Sequence, residues 1–125
     1  MNYENMVREL RLAVRSKDYK KLDELIHDGV DVNAWSTITG YGGPSRTALW
    51  SAIFEARDEK MIKKLLDNGA RPSTDIAEVI ALTNSLHTDH INRALIALKK
   101  SGHNEFVKTV VAKSQGSIAK PKAKL

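Results

Sequence analysis

Cysteine is absent from the sequence, which excludes a disulfide framework, a zinc ribbon and catalysis by a thiol. No stretch approaches the roughly 18 apolar residues of a membrane-spanning helix. The opening residues, MNYENMVREL, carry Glu4 and Glu9 and lack the apolar segment of about 7 to 15 residues that a secretory signal peptide needs. These absences predict a cytoplasmic protein.

Recognisable catalytic machinery is also missing. The sequence has no G-x-S-x-G turn, and the carboxylates that can be placed cap helices or lie on polar helix faces beside Lys or Arg. The GYGG segment at residues 40–43 lacks the strand, the third spaced glycine and the Lys-Ser/Thr pair of phosphate-binding loops. We therefore expect no catalytic residue, no cofactor and no enzymatic activity.

A metal site is not predicted either, although His87, Asp89 and His90 lie close together in the segment HTDH. The remaining histidines, His27 and His103, fall at separate helix ends without the spacing of a ligand set. A turn that caps a helix at Thr88 or Asp89 accounts for the same residues.

Positive charge is concentrated near the C-terminus. The net charge is +5, but five lysines and one acid, Glu105, from Ser101 onward contribute +4 and leave +1 for residues 1–100. Residues 113–125, KSQGSIAKPKAKL, have the composition of a flexible basic tail. The part that we expect to fold, residues 1–112, is nearly neutral.

Apolar residues recur at helical spacing in three successive pairs of segments, and no segment shows the sustained two-residue alternation of a strand. Asp18 and Asp58 are placed to cap second helices, and Gly29, Gly69 and Gly102 are placed to end them in a left-handed conformation. A final short helix begins near Asn104 and includes Phe106, Val107, Val110 and Val111. Core positions include Leu22, Leu25, Leu49, Ile62 and Leu65.

The glycines give a repeat period. Gly69 and Gly102 lie 33 residues apart, and a period of helix, turn, helix and glycine is typical of a stacked array. Residues 10–34 and 47–73 resemble ankyrin repeats: TALW at residues 47–50 stands where the family has Thr-Pro-Leu-His, and LLDNGA at residues 65–70 stands for Leu-Leu-x-x-Gly-Ala. The resemblance implies an all-α, ankyrin-type solenoid of stacked helix-turn-helix repeats with a C-terminal capping helix.

The chain departs from the family pattern in three places. Ala48 replaces the usual proline, which is tolerable because proline in the first helical turn only presets an angle. Trp50 stands where the family has a histidine that ties neighbouring loops together. The third helical pair, from Asp75 to Gly102, lacks the Thr-Pro-Leu-His motif and the finger-like loop, so we interpret it as a degenerate or capping unit. We expect one repeat domain over residues 1–112, followed by the tail.

The loop between Asn33 and Thr47 is longer than the period requires. Gly29 and Gly69 lie 40 residues apart, and we assign all seven extra residues to this loop, which projects as a finger in ankyrin proteins. Tryptophan, tyrosine and arginine dominate interface energies. The predicted partner contacts are therefore Trp35, Tyr41, Arg46 and Trp50, flanked by Arg15 and Arg57 at the ends of the first helices. The alternative is a self-packed loop without a binding role.

The resemblance implies non-catalytic binding of another protein through the finger loop and a concave face. Such a chain would act as a small inhibitor, an immunity-type protein or an effector. Two alternatives stay open. One is a nucleic-acid-associated protein that uses the basic tail, and the other is a self-assembling structural protein, so that both a monomer and a homodimer are compatible with the sequence.

Overall fold

A computed structural model describes residues 2–37, 45–83 and 88–118. These residues are mostly helical with little sheet, which confirms the all-α character predicted from the sequence. None of the helices in these three ranges has the length and apolar character needed to cross a membrane. The chain divides into two compact units, Met1–Arg71 and Pro72–Leu125.

The first unit contains two helical hairpins and a short antiparallel ladder between them. Its elements are α1 (Tyr3–Ser16), α2 (Tyr19–His27), β1 (Trp35–Ser36), β2 (Arg46–Thr47), α3 (Ala48–Ser51), a π-helical segment (Ala52–Ala56) that continues α3, and α4 (Glu59–Asp67). Helix α1 packs against α2, and it also contacts α3 and the π-helical segment of the next hairpin. The predicted core residues of this unit, among them Leu22, Leu25, Leu49, Ile62 and Leu65, are buried.

The second unit contains α5 (Thr74–Thr83), α6 (Asp89–Lys100) and α7 (Asn104–Ile118). Helix α7 packs against both α5 and α6. It is longer than the predicted short helix and takes in residues 113–118, the first part of the segment predicted as a tail. Lys113 and Gln115 are good helix formers, so the polar composition of this segment is compatible with a helix.

Three helices end with the same backbone geometry. Gly29, Gly69 and Gly102 have φ values of 95°, 92° and 95°, in the left-handed region that favours glycine. In each case the next residue donates its backbone N–H to a carbonyl five residues earlier, which satisfies a carbonyl at the helix end. These bonds are Val30 to Leu25 at 3.1 Å, Ala70 to Leu65 at 2.9 Å and His103 to Leu98 at 3.0 Å. The predicted glycine C-caps are confirmed.

The predicted N-caps differ from one another. The Asp18 carboxylate accepts the backbone N–H of Lys21 at 3.1 Å, as predicted for a helix cap. Asp58 occupies the N-cap position of α4 but makes no capping hydrogen bond with its side chain, because its carboxylate accepts the hydroxyl of Tyr19 instead. The equivalent aspartates of the two hairpins therefore have different roles.

Polar contacts join the second helices of the two hairpins, and the turns that follow those helices, in the first unit. The Asn33 side chain donates to the carbonyl of Gly69 at 3.1 Å and accepts the backbone N–H of Arg71 at 2.8 Å. The Lys64 ammonium lies 2.9 Å from the carboxylate of Asp23. Asn33 thus links the turn after α2 to the turn after α4.

The base of the long loop forms a two-stranded antiparallel ladder that the sequence did not predict. Trp35 pairs with Thr47, and Ser36 pairs with Arg46. Thr47 then begins α3, since its hydroxyl accepts the backbone N–H of Trp50 at 3.2 Å. Residues 38–44, the tip of the loop, lie outside the described residues.

The π-helical segment accounts for one of the seven extra residues of the second hairpin. The left-handed residues that end the first helices, Lys17 and Arg57, match at an offset of 40. The buried residues before them match at an offset of 39, as Leu10 with Leu49, Ala13 with Ala52 and Val14 with Ile53. The extra residue therefore falls between Ile53 and Arg57, and the loop contains six of the seven residues assigned to it.

We expect Gly69→Ala to lower the free energy of unfolding by about 1–2 kcal/mol, because an L-residue with a side chain is strained at positive φ. A Cβ atom at Gly69 would meet nothing within 4 Å, so the loss would be conformational and not steric. Urea denaturation followed by circular dichroism measures the change. Gly69→Asn is the control and should lose less, because asparagine tolerates this region better; equal stability of the Ala variant and the wild type would contradict the assignment.

Candidate functional site

A buried arginine lies at the centre of the first unit. Arg11 occupies a position in the apolar stripe of α1, next to the buried residues Leu10 and Val14, and is only 6% exposed. A charged side chain is seldom buried unless it is paired and hydrogen-bonded. The partners of Arg11 therefore define which elements must come together around it.

The Arg11 guanidinium contacts three separate elements. Its Nε donates to the Ser51 hydroxyl of α3 at 2.8 Å, and its Nη1 donates to the backbone carbonyl of Ser36 in β1 at 2.6 Å. Its Nη2 lies 3.5 Å from Glu55 Oε1 in the π-helical segment. One side chain of α1 thus holds the loop base, the start of the next hairpin and the π-helical segment together.

The surroundings of Arg11 have opposing effects on its pKa. Burial lowers the pKa of the Arg11 guanidinium from its usual value, and the neighbouring Glu55 carboxylate counteracts this effect. The guanidiniums of Arg46 and Arg15 lower the pKa further by repulsion. Glu55 is shared, because Arg15 Nε lies 4.0 Å from its other oxygen. The site is therefore a group of three cations around one carboxylate.

Trp50 lies against two of these cations. The Arg46 guanidinium carbon is 4.6 Å from the Trp50 ring centroid, and that of Arg11 is 5.8 Å away. Both distances fall within the range of cation–π attraction. The Phe54 ring packs against the Trp50 ring, with centroids 5.1 Å apart and planes inclined by 50°. The buried Trp50 Nε1 has no hydrogen-bond acceptor among the described residues.

Trp35 lies on the opposite face of the ladder from Arg46, because adjacent ladder positions point to opposite sides. Its side chain is 50% exposed, as is that of Tyr3. The two aromatics line a groove of about 430 Å³ between α1 and the loop base. Val7, Arg8 and Thr37 contribute to the same groove.

The structure brings together three of the six predicted contact residues. Arg46 stacks on Trp50, and Arg15 joins them through the shared Glu55 carboxylate. Trp35 belongs to the groove on the other face, and Arg57 is exposed at the end of the π-helical segment. Tyr41 lies outside the described residues. We use the name arginine cluster for Arg11, Arg15, Arg46, Trp50 and Glu55.

Sequence reasoning missed Arg11, Ser51 and Glu55, although the sequence contained a signal for the first. Arg11 interrupts an apolar stripe that includes Val7, Leu10 and Val14, and a charge at such a position indicates a buried ionic contact. Glu55 gave no signal, because it resembled the other acidic residues of a polar helix face. Its position depends on the π-helical segment, and the sequence did not predict that segment.

A second polar contact joins the corners of the two hairpins. The Tyr19 hydroxyl donates to the carboxylate of Asp58, and the Lys60 ammonium lies 4.5 Å from the Tyr19 ring centroid. The hydrogen bond to Asp58, with smaller contributions from burial and from the negative charge of that carboxylate, raises the pKa of the Tyr19 phenol to about 12. This contact requires Tyr19 to keep its proton.

The HTDH segment is only partly described. Asp89 begins α6 and pairs with Arg93 at 3.0 Å, while His87 lies outside the described residues. Within residues 2–37, 45–83 and 88–118, no group of three or more His, Asp or Glu residues could hold a metal ion.

Comparisons of the chain with protein-family models, with curated proteins and with solved structures found no match in any of the three.

We expect Arg11→Met to lower the free energy of unfolding by about 3 kcal/mol, because it leaves the Ser36 carbonyl without its charged donor and removes the nearer of the two guanidiniums beside Glu55. The measurement is urea denaturation monitored by circular dichroism. Arg15→Met is the matched control: its side chain is 54% exposed, and we expect a loss below about 1 kcal/mol. The Arg11→Met/Glu55→Met variant should lose less than the sum of the single changes. Equal losses for Arg11→Met and Arg15→Met would contradict a structural role for Arg11.

The stability of the first unit should fall as the pH rises from about 10, the pKa of an unperturbed tyrosine, to about 12, the pKa of Tyr19 in the fold. The folded-state pKa is raised, so the stabilisation is complete below the lower value and is lost through the higher one. Urea denaturation at a series of pH values, with near-ultraviolet absorbance of the phenolate, tests this. Tyr19→Phe should remove the highest-pH absorbance change and flatten the pH dependence. An unchanged profile in that variant would exclude Tyr19 as its source.

Proposed function

We propose that the protein is a non-catalytic, ankyrin-type protein-binding module, cytoplasmic in location, which binds another protein through the base of its long loop and the adjoining face of α1. The observation that carries this proposal is the half-exposed Trp35 on an ordered two-residue strand. Large aromatic side chains with one exposed face are typical of residues that dominate protein interfaces.

Order at the loop base supports the proposal. The Ser36 carbonyl, directly after Trp35, is held by Arg11 at 2.6 Å, and Trp35 itself pairs with Thr47 across the ladder. Thr47 is buried at the start of α3. A contact residue whose backbone is already fixed loses less conformational entropy when a partner binds. The loop base is therefore suited to present Trp35.

The groove beside Trp35 has the composition of a small interface. Two half-exposed aromatics, Tyr3 and Trp35, lie at its sides, Val7 contributes apolar surface, and Glu4 and Arg8 supply charge. Interfaces combine aromatic anchors with a polar rim in this way. Tyr3 is also anchored, because its hydroxyl accepts the backbone N–H of Asp31 at 3.0 Å.

The ankyrin resemblance supports the same surface. In that family the loops and first helices of successive repeats form one concave face, which here would include α1, α3 and the loop base. Among the modes of action open to a small binding module, we favour that of an inhibitor, an immunity-type protein or an effector, in which binding alone produces the effect.

Affinity capture from a lysate of the source organism tests the proposal. We expect a stoichiometric protein partner that stays bound at about 0.5 M salt, where electrostatic contacts are screened within a few ångströms. Trp35→Ala should weaken capture about tenfold or more, as is typical of an interface hot spot. Ile96→Ala, at a residue of α6 that is 53% exposed, is the matched control and should not change it. Capture that ignores Trp35→Ala and is lost at high salt would assign binding to the basic C-terminal segment.

A further inference from the structure

We propose that a groove along α7 binds an amphipathic helix with an acidic polar face, as a second interaction surface separate from the loop base. The groove measures about 510 Å³ and is lined by Lys99, in the last turn of α6, and by residues of α7 between Asn104 and Ala112. All of these residues belong to the second unit. The inference therefore goes beyond the function proposed for Trp35 and does not depend on it.

The apolar wall of the groove is a strip of α7 formed by Val107, Val111 and Ala112. Val107 and Val111 are four residues apart, so they lie next to each other on the helix surface. Both are only partly buried, whereas Val110 is fully buried. Helix α7 therefore has apolar residues that pack inside the unit and a further apolar strip that faces the groove.

The choice of valine indicates that this strip does more than form a helix. Valine is a poorer helix former than alanine, lysine or glutamate, because its branched side chain loses rotamer freedom in a helix. The sequence predicted α7 as a capping helix, and such an end is expected to have a polar outer face. Two partly exposed valines at helical spacing instead suit contact with another apolar surface.

The dimensions of the groove suit a helix as the occupant. The lining on α7 extends from Asn104 to Ala112, which is about 12 Å along the helix axis at about 1.5 Å per residue. A partner helix packed alongside would cover this length with about two turns and present apolar residues at i, i+3, i+4 and i+7. An extended peptide needs backbone partners, whereas the backbone groups of α7 are bonded within their own helix.

The charge around the groove favours an acidic partner. Its charged lining residues are Lys99, Lys108 and Glu105. The Lys108 ammonium lies 3.5 Å from the Glu105 carboxylate, but these side chains are 75% and 88% exposed, and such a pair contributes little. No ion pair joins Lys99 to another residue of the described ranges. With the Lys108–Glu105 pair counted as neutral, Lys99 leaves an excess positive charge beside the valine strip.

A protein helix fits this lining better than a membrane surface does. Helices that lie in a membrane interface typically insert tryptophan, phenylalanine or leucine from a broad apolar face. The apolar strip here consists of valine and alanine, and Glu105 and Lys108 line the same groove. This mixture suits a partner that offers both apolar and charged side chains.

Fluorescence anisotropy with the full-length protein and a labelled peptide tests the proposal. The probe is a blocked peptide of about 15 residues, a length at which helices can form, with leucine along one helical face and glutamate elsewhere. One control peptide has lysine in place of glutamate, and the other has the same composition with leucine scattered around the helix. We expect saturable, salt-sensitive binding of the acidic amphipathic peptide and about tenfold weaker binding of both controls.

Variants of the groove assign the binding to α7. Val107→Thr/Val111→Thr keeps the side-chain shape and a similar helix propensity but adds hydroxyls to the apolar wall, so it should weaken peptide binding about tenfold. Lys99→Glu should weaken it about fivefold. Lys20→Glu, at an exposed lysine of α2, is the matched control and should leave binding unchanged. Circular dichroism confirms folding, and Lys99→Glu, at an exposed position, provides the test if the valine variant is unstable.

Several results would overturn the inference. These are no saturable binding of the acidic amphipathic peptide, equal binding of the scattered control, or binding that neither the valine variant nor Lys99→Glu weakens. Valine-dependent sedimentation with phosphatidylserine vesicles, without peptide binding, would assign the strip to a membrane surface. A valine-dependent rise in mass with concentration in light scattering would assign it to a second copy of the chain.

Trp35→Ala distinguishes this surface from the loop base. The variant should bind the acidic peptide as tightly as the wild type does, because the groove along α7 contains no residue of the first unit among those that line it. Loss of peptide binding in Trp35→Ala would place the peptide at the loop base and overturn the inference. Partner capture that depends on Trp35 tests the proposed function alone.

Discussion

The buried Arg11 guanidinium is the interaction on which the first unit depends. From one position on α1 it reaches the Ser36 carbonyl in the loop base, the Ser51 hydroxyl in α3 and the Glu55 carboxylate in the π-helical segment. Apolar packing would bring the hairpins together without fixing the loop strand, because apolar contact has little directionality. The hydrogen bond to a backbone carbonyl supplies that direction, so the exposed face of Trp35 is set by a residue inside the protein.

Burying a guanidinium has an energetic consequence for its surroundings. The loss of hydration is offset only if hydrogen bonds and an opposite charge replace water, and Glu55 provides that charge while remaining near Arg15. The stability of the interior and the charge of the surface are therefore linked through one carboxylate. A change at Glu55 would alter both the hold of Arg11 on the loop and the electrostatic surroundings of Arg15.

The helical hairpins could be predicted from the sequence, because their signals are local. Apolar spacing, the Asp18 cap and the glycines at 29, 69 and 102 each act within a turn or two, and the structure confirms them. The arginine cluster could not be predicted from local signals, since Arg11 and Glu55 are brought together by packing between hairpins. The ladder at Trp35 and Arg46 was missed because two residues are too few to show alternation. Asp58 was misread as a side-chain cap because its actual partner, Tyr19, lies in the other hairpin.

The π-helical segment is of a kind that is rare and often found at functional sites, and it bears on how this chain tolerates changes in length. One residue added to an α-helix rotates everything beyond it by about 100°. In the second hairpin the wider turn at Ala52–Ala56 absorbs the added residue, so that Arg57 and Asp58 end the helix as Lys17 and Asp18 do in the first. Asp58 and Lys64 come after this turn in the chain. They still meet their partners in the first hairpin, Tyr19 and Asp23, despite the added residue. The chain can thus differ in length between neighbouring hairpins without losing the contacts that align them, because a local insertion is contained within a single turn of backbone.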